Sequence, residues 1–102
     1  MENVVVVSRH EGTIKLLKKH FPDAEVIDHL NDVSEIPKGS LVIGNLPLPM
    51  IEEILKRGSR FVIVSLNIPR ELRGKELTEE ELKKFAEFIE VEDLKLKKFR
   101  LP

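Results

Sequence analysis

Residues 3–7 read Asn-Val-Val-Val-Val, an apolar β-branched run with no polar interruption after Asn3. Runs of this kind belong to strands covered on both faces, so they predict a central parallel strand. At Ser8-Arg9-His10-Glu11-Gly12 the run stops, and from Thr13 the spacing changes. Ile14, Leu17 and Phe21 share one helical face while Lys15, Lys18 and Lys19 fall outside it, which predicts an amphipathic helix over residues 13–20 that Pro22 stops. Residues 24–27 form a second, shorter strand pattern. Residues 28–39 read as a polar connector closed by the turn Pro37-Lys38-Gly39-Ser40.

The same grammar then repeats. Leu41-Val42-Ile43-Gly44 is another short apolar run, followed by a helical pattern over residues 48–57 with Ile51, Ile54 and Leu55 inward and Gly58 as terminator. A strand over residues 60–65 follows almost at once. Asn67-Ile68-Pro69 leads into a polar segment, Arg70-Glu71-Leu72-Arg73-Gly74-Lys75-Glu76, which has the character of a functional loop. Thr78 with Glu81 forms a capping box, and Leu77 with Leu82 a hydrophobic staple, so a helix begins there with Leu82, Phe85, Ala86 and Ile89 as its apolar stripe. The tail, residues 91–101, alternates partly through Leu94 and Leu96 and reads as an added edge strand whose Lys95, Lys97 and Lys98 discourage further pairing.

Strands alternating with helices predict one α/β domain over residues 1–102. The expected architecture is a Rossmann-like, mostly parallel sheet of four or five strands flanked by helices. At 102 residues the chain falls within the size of one compact domain. Its 17 basic and 18 acidic side chains nearly cancel, so any anion site has to be local. Cysteine is absent, which removes disulfides, thiolate ligands and thiol nucleophiles and fits a cytoplasmic location. No apolar run approaches a membrane span of about 18 residues. Eleven Lys and 14 Glu against no Gln give a skew of the hyperthermophile kind.

In open α/β sheets, ligands bind beyond the carboxyl ends of the strands. There the sequence sets Ser8, Arg9 and His10 after the first strand, Gly44 and Asn45 after the third, and Ser65 and Asn67 after the fourth. A helix N-terminus favours an anion, an Arg forks onto phosphate oxygens, and a His moves a proton near neutrality. The plainer alternatives are an Arg9–Glu11 surface ion pair and a His10 that caps its turn. Gly44 either lets backbone approach a ligand or serves a strand-to-helix turn with Pro47 and Pro49. Arg70, Arg73 and Lys75 either fold over a polyanion or form a solvated face. Neither a Gly-x-Gly-x-x-Gly fingerprint nor a Walker phosphate loop is present, which argues against an ordinary NAD enzyme or P-loop ATPase. The strand ends hold no paired carboxylates, and His10, His20 and His29 lack zinc spacing, so no metal site is expected. His20 is expected to meet the end of its own helix, and His29 to be a surface residue.

Taken together, Ser8-Arg9-His10 with Gly12, Val42-Ile43-Gly44-Asn45-Leu46-Pro47, Ser65-Leu66-Asn67-Ile68-Pro69 and Glu71-Leu72-Arg73-Gly74-Lys75-Glu76-Leu77 resemble the small Csx-type accessory proteins of type III CRISPR systems, the sixteenth-numbered Csx family. The resemblance spans nearly the whole chain. It departs at Glu11 (proline expected), Asn45 (Thr usual) and Asn67 (Asp common). It implies a fold like that of cyclic-oligoadenylate sensor domains and a homodimer acting as a ring nuclease, which linearises the cyclic oligoadenylate messenger, here cyclic tetraadenylate, without metal or cofactor. The ribose 2′-hydroxyl would attack the neighbouring phosphorus and leave a 2′,3′-cyclic phosphate. On that reading Arg9, Arg73 and Lys75 meet phosphate charge, and His10 transfers a proton or orients phosphate. Ser8, Gly44, Asn45, Ser65 and Asn67 then bind ribose or base. The alternative is a non-cleaving module that sequesters or senses the same ring. Neither a membrane nor duplex DNA is an expected partner.

Overall fold

The computed structural model describes residues 2–102. Five strands form one sheet in the order β2-β1-β3-β4-β5: β1 (Val4–Val7), β2 (Glu25–Ile27), β3 (Leu41–Gly44), β4 (Arg60–Leu66) and β5 (Ala86–Val91). The first four run parallel and β5 is antiparallel to β4. Helices α1 (Glu11–His20), α2 (Leu48–Lys56) and α3 (Glu79–Phe85) flank the sheet, giving the Rossmann-like α/β architecture that the alternating pattern predicts.

The valine run explains the centre. Val5 and Val7 enter one apolar layer with Val42, Phe61, Ile51 and Ile54 of α2. Val6 enters the opposite layer with Ile43, Val64 and Leu17 of α1. Because successive side chains alternate faces, a strand that must feed two cores has no room for a polar residue, and Val5, Val6 and Val42 are wholly buried. Each such side chain contributes roughly 1.5–3 kcal/mol on burial. A third, smaller cluster of Leu16, Leu77 and Leu82 joins α1 to α3, so the predicted staple forms. The capping box closes as well: Thr78 N–H donates to Glu81 Oε1 at 3.0 Å, and Glu81 N–H to Thr78 Oγ1 at 3.2 Å. His20 Nδ1 lies 3.1 Å from the Leu16 carbonyl, within its own helix as expected.

Three expectations change. The connector after β2 is not merely polar: Leu30, Val33 and Ile36 are buried in the α2-side core around a 3-10 turn at Val33–Glu35. Asp32 caps that turn by accepting from Ser34 N–H at 2.9 Å, a bond that holds its carboxyl below the usual range. Second, the last helix stops at Phe85, and Ala86–Val91 is a strand. A spacing of apolar residues at 82, 85, 86 and 89 suits a helix, but Ile89 and Val91 are β-branched, and β4 offers a full edge of backbone groups that only a strand can pair. Leu66 to Phe61 accordingly face Ala86 to Val91 in antiparallel register. Third, the edge strand expected within residues 91–101 is absent beyond Val91; that tail carries no regular structure and leaves Phe99 and Leu101 exposed. Among the described residues no helix is long and apolar enough to cross a membrane.

Candidate functional site

β1 and β3 are neighbours, and the chain leaves them in opposite directions: to β2 on one side and to β4 on the other. The loops beyond their carboxyl ends therefore part, and a crevice opens between them. Its volume is about 420 Å³, inside the range of ligand pockets. Ser8, Arg9 and His10 line it from β1, Gly44 and Asn45 from β3, with Thr13 from α1 and Met50 from α2. Five of the nine residues singled out from sequence thus meet at one place.

Local hydrogen bonds build the β1 side. Ser8 Oγ accepts from His10 N–H at 3.1 Å, which folds the loop back on itself. His10 is the N-cap of α1, with Nδ1 accepting from Thr13 N–H at 3.2 Å and lying 2.8 Å from Thr13 Oγ1. An acceptor Nδ1 means that the neutral ring carries its proton on Nε2. The capping reading of His10 is therefore correct, and it leaves Nε2–H as a donor on the far side of an exposed ring. Arg9 is exposed and enters none of the ion pairs among the described residues, so the Arg9–Glu11 pair does not form. In the first turn of α1 the Thr13 N–H is taken by His10, and Glu11 and Gly12 line a neighbouring hollow rather than this crevice.

Gly44 lines the crevice and also serves the sheet. It sits opposite Val7 in register, and a Cβ there would lie 2.2 Å from the Val7 carbonyl oxygen. Here the close backbone approach that a glycine permits is made by β1, a role beside the ligand and turn readings that the sequence leaves open. Gly12 behaves similarly, since a Cβ would lie 2.6 Å from Leu82 Cδ1 at the α1–α3 contact.

Asn67 and Arg73 line a second hollow of about 360 Å³ with Ile68 and Pro69, and the two hollows share Leu66. Ser65 lines neither: Val64 and Leu66 point toward the crevice, and alternation turns Ser65 to the other face of β4. Lys75 is exposed beyond Gly74 and lines neither hollow. The segment carrying Arg73 is held by a 3-10 turn at Arg70–Leu72, and Ile68 and Leu72 pack on the Leu16–Leu77–Leu82 cluster. Its apolar residues anchor it, leaving Arg70, Arg73 and Lys75 exposed and outside every ion pair among the described residues.

A profile described as "Putative CRISPR-associated protein (Cas_VVA1548)" matches residues 5–95, from β1 to beyond β5. The chain belongs to this CRISPR-associated family. No curated protein and no solved structure matches it.

The crevice of this CRISPR-associated protein also contains residues that sequence reading passed over. Asp28 and His29, where the chain leaves β2, line it together with Leu30. His29, expected as an ordinary surface residue, is exposed but at the crevice rim. Both residues stand at the carboxyl end of β2, a parallel strand like the other three, and the strand-end rule selects them. Among the described residues no three His, Asp or Glu side chains gather as a metal ion would require.

Proposed function

We propose that this CRISPR-associated protein is a member of the sixteenth-numbered Csx family and acts as a ring nuclease on a cyclic oligoadenylate, with cyclic tetraadenylate as the first candidate. The observation that carries the reading is the crevice between β1 and β3, which gathers Arg9, His10, Asn45 and the N-terminus of α1. A cation, an imidazole N–H and an amide are what a phosphodiester flanked by ribose and base asks for.

In the proposed reaction a ribose 2′-oxygen bonds to the adjacent phosphorus and the phosphorus–O5′ bond breaks. A 2′,3′-cyclic phosphate and a 5′-hydroxyl result; the 2′-hydroxyl proton passes to water and the leaving 5′-oxygen takes one from water. The protein's task is alignment, and a well-oriented internal nucleophile is worth roughly 7–11 kcal/mol. Arg9 neutralises the phosphate. His10, with Nδ1 committed to Thr13, presents Nε2–H to a phosphate oxygen. Orientation suits it better than acid catalysis, because a neutral ring that gave up this proton would become an imidazolate. Asn45 meets ribose or base, while Asn67 and Arg73 receive the next unit across Leu66. The crevice has room for a nucleotide unit rather than a whole ring, so a homodimer sharing one twofold ring is the matching assembly.

The test incubates the full chain with cyclic tri-, tetra- and hexaadenylate, with EDTA and without added metal, and separates products by chromatography with mass detection. Linear product ending in a cyclic phosphate is expected from one ring size, with Arg9→Ala and His10→Asn slower by on the order of 10- to 100-fold. Tight binding of a ring that stays intact would replace cleavage by sequestration. Failure of every ring to bind would overturn the reading.

A further inference from the structure

Among the described residues, Asp28 is the one acidic side chain that lines the β1–β3 crevice. It follows Ile27, the last residue of β2, which pairs with Val7, and Ser8 N–H donates to the Ile27 carbonyl at 3.1 Å. Asp28 and Ser8 therefore leave the sheet at the same level on strands about 4.8 Å apart. A carboxylate that lines the same crevice as Arg9 would be expected to pair with the cation. Yet Asp28 enters none of the ion pairs or side-chain hydrogen bonds among the described residues, and neither does Arg9.

We infer that Asp28 is a specificity-determining residue of this crevice, its carboxylate accepting a hydrogen bond from a ribose hydroxyl of the nucleotide whose phosphate lies at Arg9 and the α1 N-terminus. The inference rests on the cyclic-nucleotide reading above and says which part of the nucleotide each wall reads. An ionised carboxylate only accepts, and a phosphodiester offers no donor, so Asp28 and the phosphate repel unless a donor lies between them. A nucleotide has two kinds of neutral donor, ribose hydroxyls and the exocyclic amine of adenine. The 2′-hydroxyl sits on the carbon next to the one that bears the 3′-phosphate, whereas the amine lies across the base. A residue one strand away from the phosphate-binding loop reaches the hydroxyl first. In dinucleotide-binding Rossmann folds an acid about 20 residues beyond the phosphate-binding turn bonds a ribose hydroxyl in this way; Asp28 lies at that spacing from Ser8, although the glycine fingerprint of those folds is absent here.

The measurement is a cycle of two changes, one in the protein and one in the ring. Binding of cyclic tetraadenylate and of its all-2′-deoxy counterpart is measured at 4 °C, faster than turnover, for the wild-type chain, Asp28→Asn and Asp28→Ala, with circular dichroism to show that each variant is folded. Wild type is expected to prefer the ribose ring by on the order of tenfold or more. Asp28→Ala brings that ratio close to one, weakening the ribose ring through the lost hydrogen bond and tightening the deoxy ring through the lost repulsion, and Asp28→Asn, which keeps an acceptor oxygen, retains part of it. A ratio unchanged in Asp28→Ala overturns the inference. So does a third ring built from purine riboside, which lacks the amine, if the Asp28→Ala effect disappears with that ring and not with the deoxy one. If wild type binds no ring at all, the cyclic-nucleotide reading itself fails, a result distinct from tight binding with an unaltered ratio.

Discussion

Replacing Gly44 by alanine tests whether this glycine belongs to the sheet or to a ligand. The new Cβ would stand 2.2 Å from the Val7 carbonyl oxygen and 3.1 Å from its carbon. Carbon-to-oxygen contacts of this kind settle at about 3.3 Å, so β1 and β3 must separate by roughly 1 Å where Val7 faces Gly44. Neither partner is a flexible side-chain end; both belong to buried strands that feed two cores. Overpacking in such places costs about 1–3 kcal/mol or more, against which the stiffer unfolded chain returns about 0.4–1 kcal/mol. A net loss of about 2 kcal/mol corresponds to a melting temperature lower by roughly 8–16 °C in a domain of this size. Thermal melts and urea titration of Gly44→Ala, with Gly39→Ala as control, give the comparison. Gly39 has φ +75° but open space where a Cβ would go, so its alanine bears only the backbone cost of about 1–2 kcal/mol, partly offset in the unfolded state. A Gly44→Ala protein that melts with wild type while losing ligand would refute the packing argument and restore the ligand role.

Thr78→Ala removes the side-chain half of the α3 capping box and should cost about 1 kcal/mol, a fall of roughly 4–8 °C in melting temperature. Acid stability carries a definite sign. Lys19 beside Glu79, and Arg60 beside Glu90, hold those carboxyls below the ordinary glutamate value. A lowered folded-state pKa contributes stability above that value and loses it as pH falls, so the urea midpoint should decline from about pH 4.3 downward, and Arg60→Met should make the decline shallower. A midpoint that rises on acidification would contradict both pairs. Finally, His10→Ala and His10→Asn separate two roles of one ring. Asn is a good N-cap and should preserve stability, Ala should cost about 0.5–2 kcal/mol, and both should slow ring opening; wild-type cleavage by His10→Asn would remove the imidazole from the reaction.

The centre of the fold was legible because its residues satisfy only one arrangement. A run of four valines can be buried on both faces and cannot be an amphipathic helix, and Thr78-x-x-Glu81 has one conformation in which both bonds close. Legibility failed where two periods coincide. Phe85, Ala86 and Ile89 suit a helix, and the same stretch alternates well enough to pair with β4, so the choice lay with an edge 20 to 30 residues away in sequence. It failed again at Leu30, Val33 and Ile36, three apolar residues spaced by three inside a polar connector, whose common burial was concealed by the charges between them.

The site shows a different limit. For His10 the sequence offers two roles that look exclusive, a cap or a group that meets substrate, yet imidazole has two nitrogens and the fold assigns them separately. Nδ1 is held by Thr13, whose buried hydroxyl and backbone N–H fix the ring. Fixing one nitrogen is what gives the other a constant direction, because a ring free to rotate would lose entropy on meeting a phosphate and align it less well. Capping is then a condition of the proposed chemistry rather than its competitor. Thr13→Val should show this: it removes the hydroxyl and keeps the volume and the backbone donor, so α1 stays capped while the ring loses one of its two restraints. Single-turnover cleavage should slow with little change in melting temperature, and a Thr13→Val enzyme as fast as wild type would show that the orientation of His10 is not what the crevice depends on.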